Sequence, residues 1–534
     1  MSRRSFYVLL LLFALLALPS AAAQMNKPKL VILLSIDQMR ADYFTRFGGQ
    51  FTGGFKRLYA EGRVFTNADL NYARTETAPG HATLATGAYP RRHGVAANEW
   101  FDRQSQQTVY CVADANAKPV AGAGGGASPK HLMVKAVGDW LKAASPASKV
   151  ISVAGKDRAA VLLGGQRPDL ALWYEPKTGL MVTSDYYTRR LPDWVTAFNE
   201  SNWTARNTPA AWTKLLPDSA YSGPDDFRGE RLWGPSRKFP HPFLRKTEHQ
   251  RTSPYYDMLI LDFALAAMRA EKLGQDDAPD LLCLGLSATD YVGHHYGPDS
   301  HEMQDHLLRL DRALGDFLTQ AETLAGKGKV LIALSADHGV RSNPEYLTEF
   351  KATPARRISH EDLETALFAV NDELQQEFKF TESVLERGFG LNYAAAARAG
   401  LDAHKFEQRV RAALLRVDGV ADVFLRRELT GGDVPERPFL QAWQRSYYAE
   451  RGPDFQLQFC EHCLLIAEDP IAADHGSPYR ADTHVPLLFW GMGMKPARID
   501  RRVSTVDVAP TLAQILRLPK PRMVDGQALK EVRP

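Results

Sequence analysis

Short, unbroken apolar runs punctuate the chain at Leu30–Ile36, Val150–Val153, Leu281–Leu286, Val330–Leu334 and Val485–Trp490. Runs of four to eight apolar residues suit strands covered on both faces, as in a parallel or mixed sheet. Between them the pattern changes to helical spacing. From Glu302 to Leu318, residues Leu307, Leu308, Leu310, Leu314, Phe317 and Leu318 form one apolar stripe, and a second helical pattern runs from Val508 to Leu516. Strands alternating with helices predict an α/β fold, a doubly wound αβα sandwich. Two stretches break the rhythm. One, around 165–250, is rich in Trp, Pro and Arg, and the other, around 345–470, mixes helical patterns with long polar runs. Both read as lobes inserted into one α/β core.

In open α/β sheets, ligands bind beyond the carboxyl ends of the strands. The polar residues just after each predicted strand are therefore the candidate chemistry. Asp37 follows the first strand, Lys156 and Arg158 the second, Asp290 and His294 the third, and Asp337 and His338 the fourth. His484 precedes the fifth strand and must reach the site from a loop. An isolated Asp after a strand is most often a turn or helix cap, and an isolated His most often a packed or surface residue. Three Asp and three His converging on one sheet edge instead form a metal-ligand inventory. Asp290 and His294 lie four residues apart, on one side of a helix if a helical turn intervenes. Imidazole nitrogen with carboxylate oxygen suits zinc, and two close metal ions suit phosphoryl transfer.

Thr77, two residues before Pro79, stands at a predicted helix start. Helix N-termini offer unpaired N–H groups to an anion, and a hydroxyl beside a metal can become a nucleophile. Thr75 is the rival hydroxyl, one turn earlier. Asp474-His475-Gly476 repeats the Asp-His-Gly of Asp337-His338-Gly339, but it follows no apolar run, so His475 reads as a loop residue near the site and not as a ligand.

Composition narrows the classes. The chain has 534 residues, 65 basic against 62 acidic side chains, 45% hydrophobic and 24% charged residues. That excludes a disordered chain and gives no broad basic field for nucleic acid. Arg3 and Arg4, the apolar stretch Phe6–Leu18 and the small residues Ala21–Ala23 read as a signal peptide over 1–23, which predicts an exported, periplasmic or secreted protein. The apolar stretch is shorter than the roughly 20 residues that span a bilayer, so no stable membrane insertion is expected after cleavage. Cys460 and Cys463 read as a local disulfide or two inert thiols.

Seven motifs now stand in order: Ser35-Ile36-Asp37-Gln38, Thr77-Ala78-Pro79-Gly80-His81, His93 to Asn98, Gly155-Lys156-Asp157-Arg158, Asp290 to His294, Ala336-Asp337-His338-Gly339 and Asp482-Thr483-His484-Val485-Pro486. Together they resemble the alkaline phosphatase superfamily, and within it the threonine-nucleophile, PafA-type alkaline phosphatases. The resemblance implies an alkaline-phosphatase-type catalytic domain over 24–534, carrying the two insertions. It implies two Zn2+ per subunit, one held by Asp37, Asp337 and His338 with Thr77 completing it, the other by Asp290, His294 and His484. It further implies that Thr77 becomes phosphorylated during hydrolysis of small phosphate monoesters, with Asn98, Lys156 and Arg158 holding the phosphate oxygens. Two cations near the terminal oxygens reward the second charge of a monoester. The alternative is a nucleotide pyrophosphatase or phosphodiesterase of the same superfamily. The C/S-x-P-x-R nucleophile pattern of a sulfatase is absent.

Overall fold

The computed structural model describes residues 27–244, 247–432, 435–466, 471–519 and 522–532. The signal-peptide reading over 1–23 lies outside them. Ten strands form one sheet: β1 (Leu30–Ile36), β2 (Arg63–Phe65), β3 (Pro119–Val120), β4 (Val150–Ala154), β5 (Leu170–Glu175), β6 (Leu180–Ser184), β7 (Asp280–Leu286), β8 (Val330–Ser335), β9 (Leu487–Gly491) and β10 (Ala497–Ile499). Their spatial order is β10-β2-β9-β8-β1-β7-β4-β5-β6-β3. The central strands β8, β1, β7, β4 and β5 run parallel. The fold is thus the doubly wound α/β sandwich that the alternation predicts, with mixed edges.

The two faces of β1 show why a continuous apolar run is needed. Leu30, Ile32, Leu34 and Ile36 pack on one side with α3 (Pro254–Ala270) and α5 (His301–Ala325), through Phe263, Leu307 and Leu314. Val31 and Leu33 pack on the other side with Leu84 of α1 (Thr77–Thr86) and Leu512 of α8 (Val508–Ile515). Successive strand side chains point to opposite faces, and here both faces are dry. The stripe read in the sequence is buried on α5, whose start is fixed by the Ser300 hydroxyl accepting from the Met303 N–H.

Residues 170–184, which the sequence pattern placed in the first insertion, add β5 and β6 to the sheet. The stretch around 345–470 instead builds a core of its own. It joins α6 (His360–Phe378), α7 (Ala403–Leu414) and the antiparallel strand pair Val420–Leu425 and Phe455–Phe459 through residues such as Leu374, Phe406, Val410 and Leu457. Cys460 and Cys463 are joined by a disulfide, and Cys111 and Cys283 are buried thiols. No helix among the described residues is long and apolar enough to cross a membrane.

Candidate active site and metal centre

The parallel register brings the carboxyl ends of β1, β7, β4 and β8 level: Ile36 lies beside Leu286, Ser35 beside Ser335 and Gly285 beside Ala154. The segments leaving these strands meet at one edge. Asp37 leaves β1 directly. Lys156 follows β4 and stands at the N-cap of α2 (Asp157–Gly164). Asp290 and His294 sit on α4 (Ala288–Tyr296) after β7, whose N-terminus is pinned by Asp257 Oδ1 accepting from Ser287 N–H and Ala288 N–H at 2.8 and 2.9 Å. Asp337 and His338 follow β8.

α1 carries Thr77 at its first position and is buried along its whole length, with Pro79 in the first turn and Gly87 in the left-handed conformation at its end. It lies flat on the turn after β8. A Cβ on Gly80 would collide with the Asp337 main chain and Cβ, so glycine is required there. Small side chains also let α1 approach α2, where Ala78 and Ala82 pack with Ala159 and Ala160.

Two groups of donor atoms result, each with all atoms within 4.8 Å of one another: Asp37, Asp337 and His338, and Asp290, His294 and His475. In all three histidines Nδ1 is directed at a main-chain carbonyl. His338 meets Gly339 O at 2.9 Å, His294 meets Ala473 O at 2.9 Å and His475 meets Thr75 O at 2.7 Å. In the neutral ring the proton therefore sits on Nδ1 and leaves the Nε2 lone pair facing inward, which is how metal-binding imidazoles are oriented.

The buried acids fit a cation as well. Asp37 Oδ1, Asp337 Oδ2 and His338 Nε2 are buried without a hydrogen-bond partner. Burial, reinforced by Asp290 and Asp337, pushes the Asp37 carboxyl up to about 7, and burial lifts Asp337 to about 6. Three acids this close resist ionising together unless positive charge offsets them. Lys156 supplies part of it, with Nζ 2.5 Å from Asp37 Oδ2 and 2.6 Å from Asp290 Oδ2. At His294, burial acts to lower the pKa, but Asp290 outweighs it and raises it to about 9. At His475, burial wins, helped by His338 and His294, and holds the ring neutral.

Thr77 Oγ1 lies 3.5 Å from both Lys156 Nζ and Arg158 Nη2. Asn98 is beside it. Its amide oxygen accepts from the Ala78 N–H at 2.9 Å, which leaves the amide NH2 as the outward end. The Ala78 N–H is thereby occupied, and the amide of Asn98 presents itself in its place. Thr75 is no nucleophile candidate, because its hydroxyl donates to Ser477 O and accepts from Gly476 N–H.

His484 requires a correction. Because β9 is antiparallel to β8, the segment leading into β9, with His484 three residues before Leu487, does reach the correct edge of the sheet. Its imidazole, however, turns toward Thr66 O, 3.1 Å from Nε2, outside both donor groups. His475 takes the third place with Asp290 and His294, its Nε2 3.6 Å from Asp290 Oδ1. The loop is held there by the buried Asp482, which accepts from both the N–H and the hydroxyl of Ser477, and by Ala472 N–H donating to His294 O at 2.7 Å. The repeated His-Gly pair was the signal in the sequence. Gln38 was also missed: its amide donates to Asp290 Oδ1 at 2.9 Å and its N–H to Asp337 Oδ1 at 3.1 Å, bridging the two groups.

Comparison with known proteins identifies the family. Residues 31–444 match the type I phosphodiesterase / nucleotide pyrophosphatase family. The chain belongs to that family, and within it to the PafA-type alkaline phosphatases. It is 34% identical over 95% of its length to alkaline phosphatase PafA of Elizabethkingia meningoseptica, covering 94% of that protein. It is also 34% identical to alkaline phosphatase PhoV of Synechococcus elongatus, over 95% of this chain and 93% of that one. The crystal structure of wild-type PafA superposes with a TM-score of 0.87 at 32% identity, over 95% of this chain and 99% of that one. The protein is an enzyme of the alkaline phosphatase type and hydrolyses phosphoesters.

Proposed function

We propose that the enzyme hydrolyses small phosphate monoesters through a phosphothreonine at Thr77, using two zinc ions. The observation that carries this reading is the pair of cations, Lys156 and Arg158, each 3.5 Å from Thr77 Oγ1. A monoester dianion spreads two negative charges over its non-bridging oxygens, and these meet Lys156 and Arg158. A diester carries an ester group there and gains less.

Asp37, Asp337 and His338 would hold one ion beside Thr77, and Asp290, His294 and His475 the other. When bound, such ions offset the carboxylate charge, lower the pKa of a nearby hydroxyl or water, and stabilise the departing oxygen. The chain's own residues do the rest. α1 presents Thr77 at its positive end to the phosphorus. The Asn98 amide NH2 donates to a non-bridging oxygen. Lys156 and Arg158 hold the remaining oxygens as the P–O bond to the leaving group breaks, and again when water displaces Thr77. Phosphoryl transfer rewards this kind of fixed electrostatic placement more than covalent help. The catalytic unit is one domain over 24–534 with two inserted lobes, exported after loss of residues 1–23, with no nucleic-acid partner.

The test is turnover of a nitrophenyl phosphate against its diester analogue, in the wild type and in Lys156→Ala/Arg158→Ala. Monoester preference that collapses in the double variant is expected. Diester preference in the wild type would favour the phosphodiesterase reading, and equal losses on both substrates would make the two cations scaffold.

A further inference from the structure

Asn98 belongs to no helix or strand; it lies between a short helical turn, Pro90–His93, and the strand Glu99–Asp102. Its position therefore depends on what holds it. Three bonds do so: Cys111 N–H donates to its main-chain carbonyl at 3.0 Å, and the other two come from residues flanking Thr77. Ala78 N–H donates to its amide oxygen, and its own N–H donates to Glu76 Oε2 at 2.7 Å. The other Glu76 oxygen accepts from Arg74 Nη1 at 3.1 Å. Arg74 Nη2 in turn donates to Gln456 Oε1 at 2.7 Å. Gln456 is on the strand Phe455–Phe459 of the second inserted lobe.

The lobe also grips the main chain here. The Ser446 hydroxyl accepts from Ala73 N–H and Arg74 N–H at 2.8 and 3.0 Å, and Ala442 O accepts from Ala73 N–H at 3.1 Å. A cavity of about 200 Å3 between lobe and metal centre is bordered by Arg74, Gln456 and His475. Gln456, Arg74, Glu76 and Asn98 therefore form one continuous chain of bonds from the lobe to the phosphate side of the site.

We propose that Glu76 and Arg74 are positioning residues for Asn98, and that Gln456 is the point through which the second lobe acts on turnover. The inference rests on the reading of Asn98 as a phosphate contact. The physical case has two parts. The Glu76 carboxylate makes a charge-assisted bond, of the stronger kind, to the Asn98 N–H, and together with the Cys111 N–H on the Asn98 carbonyl it fixes this residue from both sides. That carboxylate also sits near an anionic substrate, and Arg74 offsets its charge while fixing its rotamer. Loss of Arg74 leaves a negative charge that both repels phosphate and no longer aims Asn98.

The experiment is steady-state hydrolysis of a nitrophenyl phosphate, with inhibition by inorganic phosphate, at equal metal content and confirmed folding. The variants are Asn98→Ala, Glu76→Ala, Glu76→Gln, Arg74→Ala, Arg74→Lys, Gln456→Ala and the double Glu76→Ala/Asn98→Ala. Asn98→Ala is expected to lower kcat/KM about 10- to 100-fold, the scale of one bond to a charged oxygen. Glu76→Ala is expected to cost about 10-fold alone and less than about 2-fold once Asn98 is gone, because residues acting as a unit are not additive. Glu76→Gln, which keeps an acceptor, recovers most of that loss. Arg74→Ala raises KM and weakens phosphate inhibition more than Arg74→Lys does, and Gln456→Ala gives a smaller change of the same kind. If Glu76→Ala costs the same factor in both backgrounds, the positioning role is overturned. If Asn98→Ala changes nothing, the phosphate-contact reading itself fails, and the positioning role falls with it.

Discussion

The ring of His475 stacks on that of His338, with centroids 3.6 Å apart and planes inclined by 17°. One imidazole belongs to each donor group, so this pair is where the two groups touch. It also separates His475 from His484, whose ring faces Thr66. His475→Ala is expected to remove one metal ion and to lower phosphate ester turnover by about 100-fold or more. His484→Ala is expected to keep the full metal complement and most of the activity. Metal analysis of the two purified variants distinguishes them, and the reverse pattern would restore His484 as the ligand.

Protons compete with metal at this centre. His294 is held up to about 9, Asp37 to about 7 and Asp337 to about 6. Each must lose its proton to become a ligand. Metal affinity should therefore rise with pH between about 6 and 9, with protons released on binding. Calorimetric titration of the metal-stripped protein in buffers of different ionisation heat checks both. A flat affinity across this range would mean that these groups do not bind the ion.

Gly80 allows α1 to lie against the turn that carries Asp337. Gly80→Ala is expected to lift the helix start away from that turn and to lower kcat by about two orders of magnitude, the scale for an ångström of misplacement. The clash should cost about 1–3 kcal/mol of stability without unfolding so large a core, so a cooperative melting curve shifted down by a few degrees, with turnover lost well below that temperature, is the predicted signature. Full activity in the variant would show that the helix can shift without cost.

The first inserted stretch buries acids away from the site. His241 Nε2 meets Glu302 Oε1 at 2.7 Å, and burial above all pushes Glu230 up from 4.5 to about 8. The folded state thus keeps a proton on Glu230 at pH values where the unfolded chain has already lost it. Its contribution to stability falls as pH rises from about 4.5 to about 8 and levels off above. Glu230→Gln is expected to remove this loss and to stabilise the protein at pH 8, with no gain at pH 4. Thermal unfolding at the two pH values reads it. An equal effect at both would assign Glu230 a purely steric role.

Much of the fold was readable because a strand covered on both faces must be apolar throughout, and the five runs from Leu30 to Trp490 have that property. The same rule located Asp37, Lys156, Asp290 and Asp337, since each comes soon after a strand. His475 follows no strand. It reaches Asp290 by a loop tied to Thr75, some 400 positions earlier in the chain, and such a pairing leaves no local pattern. His484 looked better because it abuts a strand, but which way a side chain turns at the edge of an antiparallel strand is set by its neighbours, here Thr66. Gln38 and Glu76 were silent for a related reason: amides and carboxylates that only aim another group carry no spacing of their own.

The three imidazoles of the centre are all held by carbonyls of the main chain, those of Ala473, Gly339 and Thr75. Any amino acid supplies a carbonyl. The aim of these imidazoles is thus encoded in the path of the backbone, and the side chains at those positions matter for how they keep that path: Gly339 has no room for a Cβ beside Ala481 O, Ala473 is fully buried, and the Thr75 hydroxyl ties Gly476 and Ser477. What the centre cannot absorb is an insertion or deletion that shifts the register of the loops at 339, 473 or 75. Chain length in these loops is thus a vulnerability of its own, beside that of the ligating side chains.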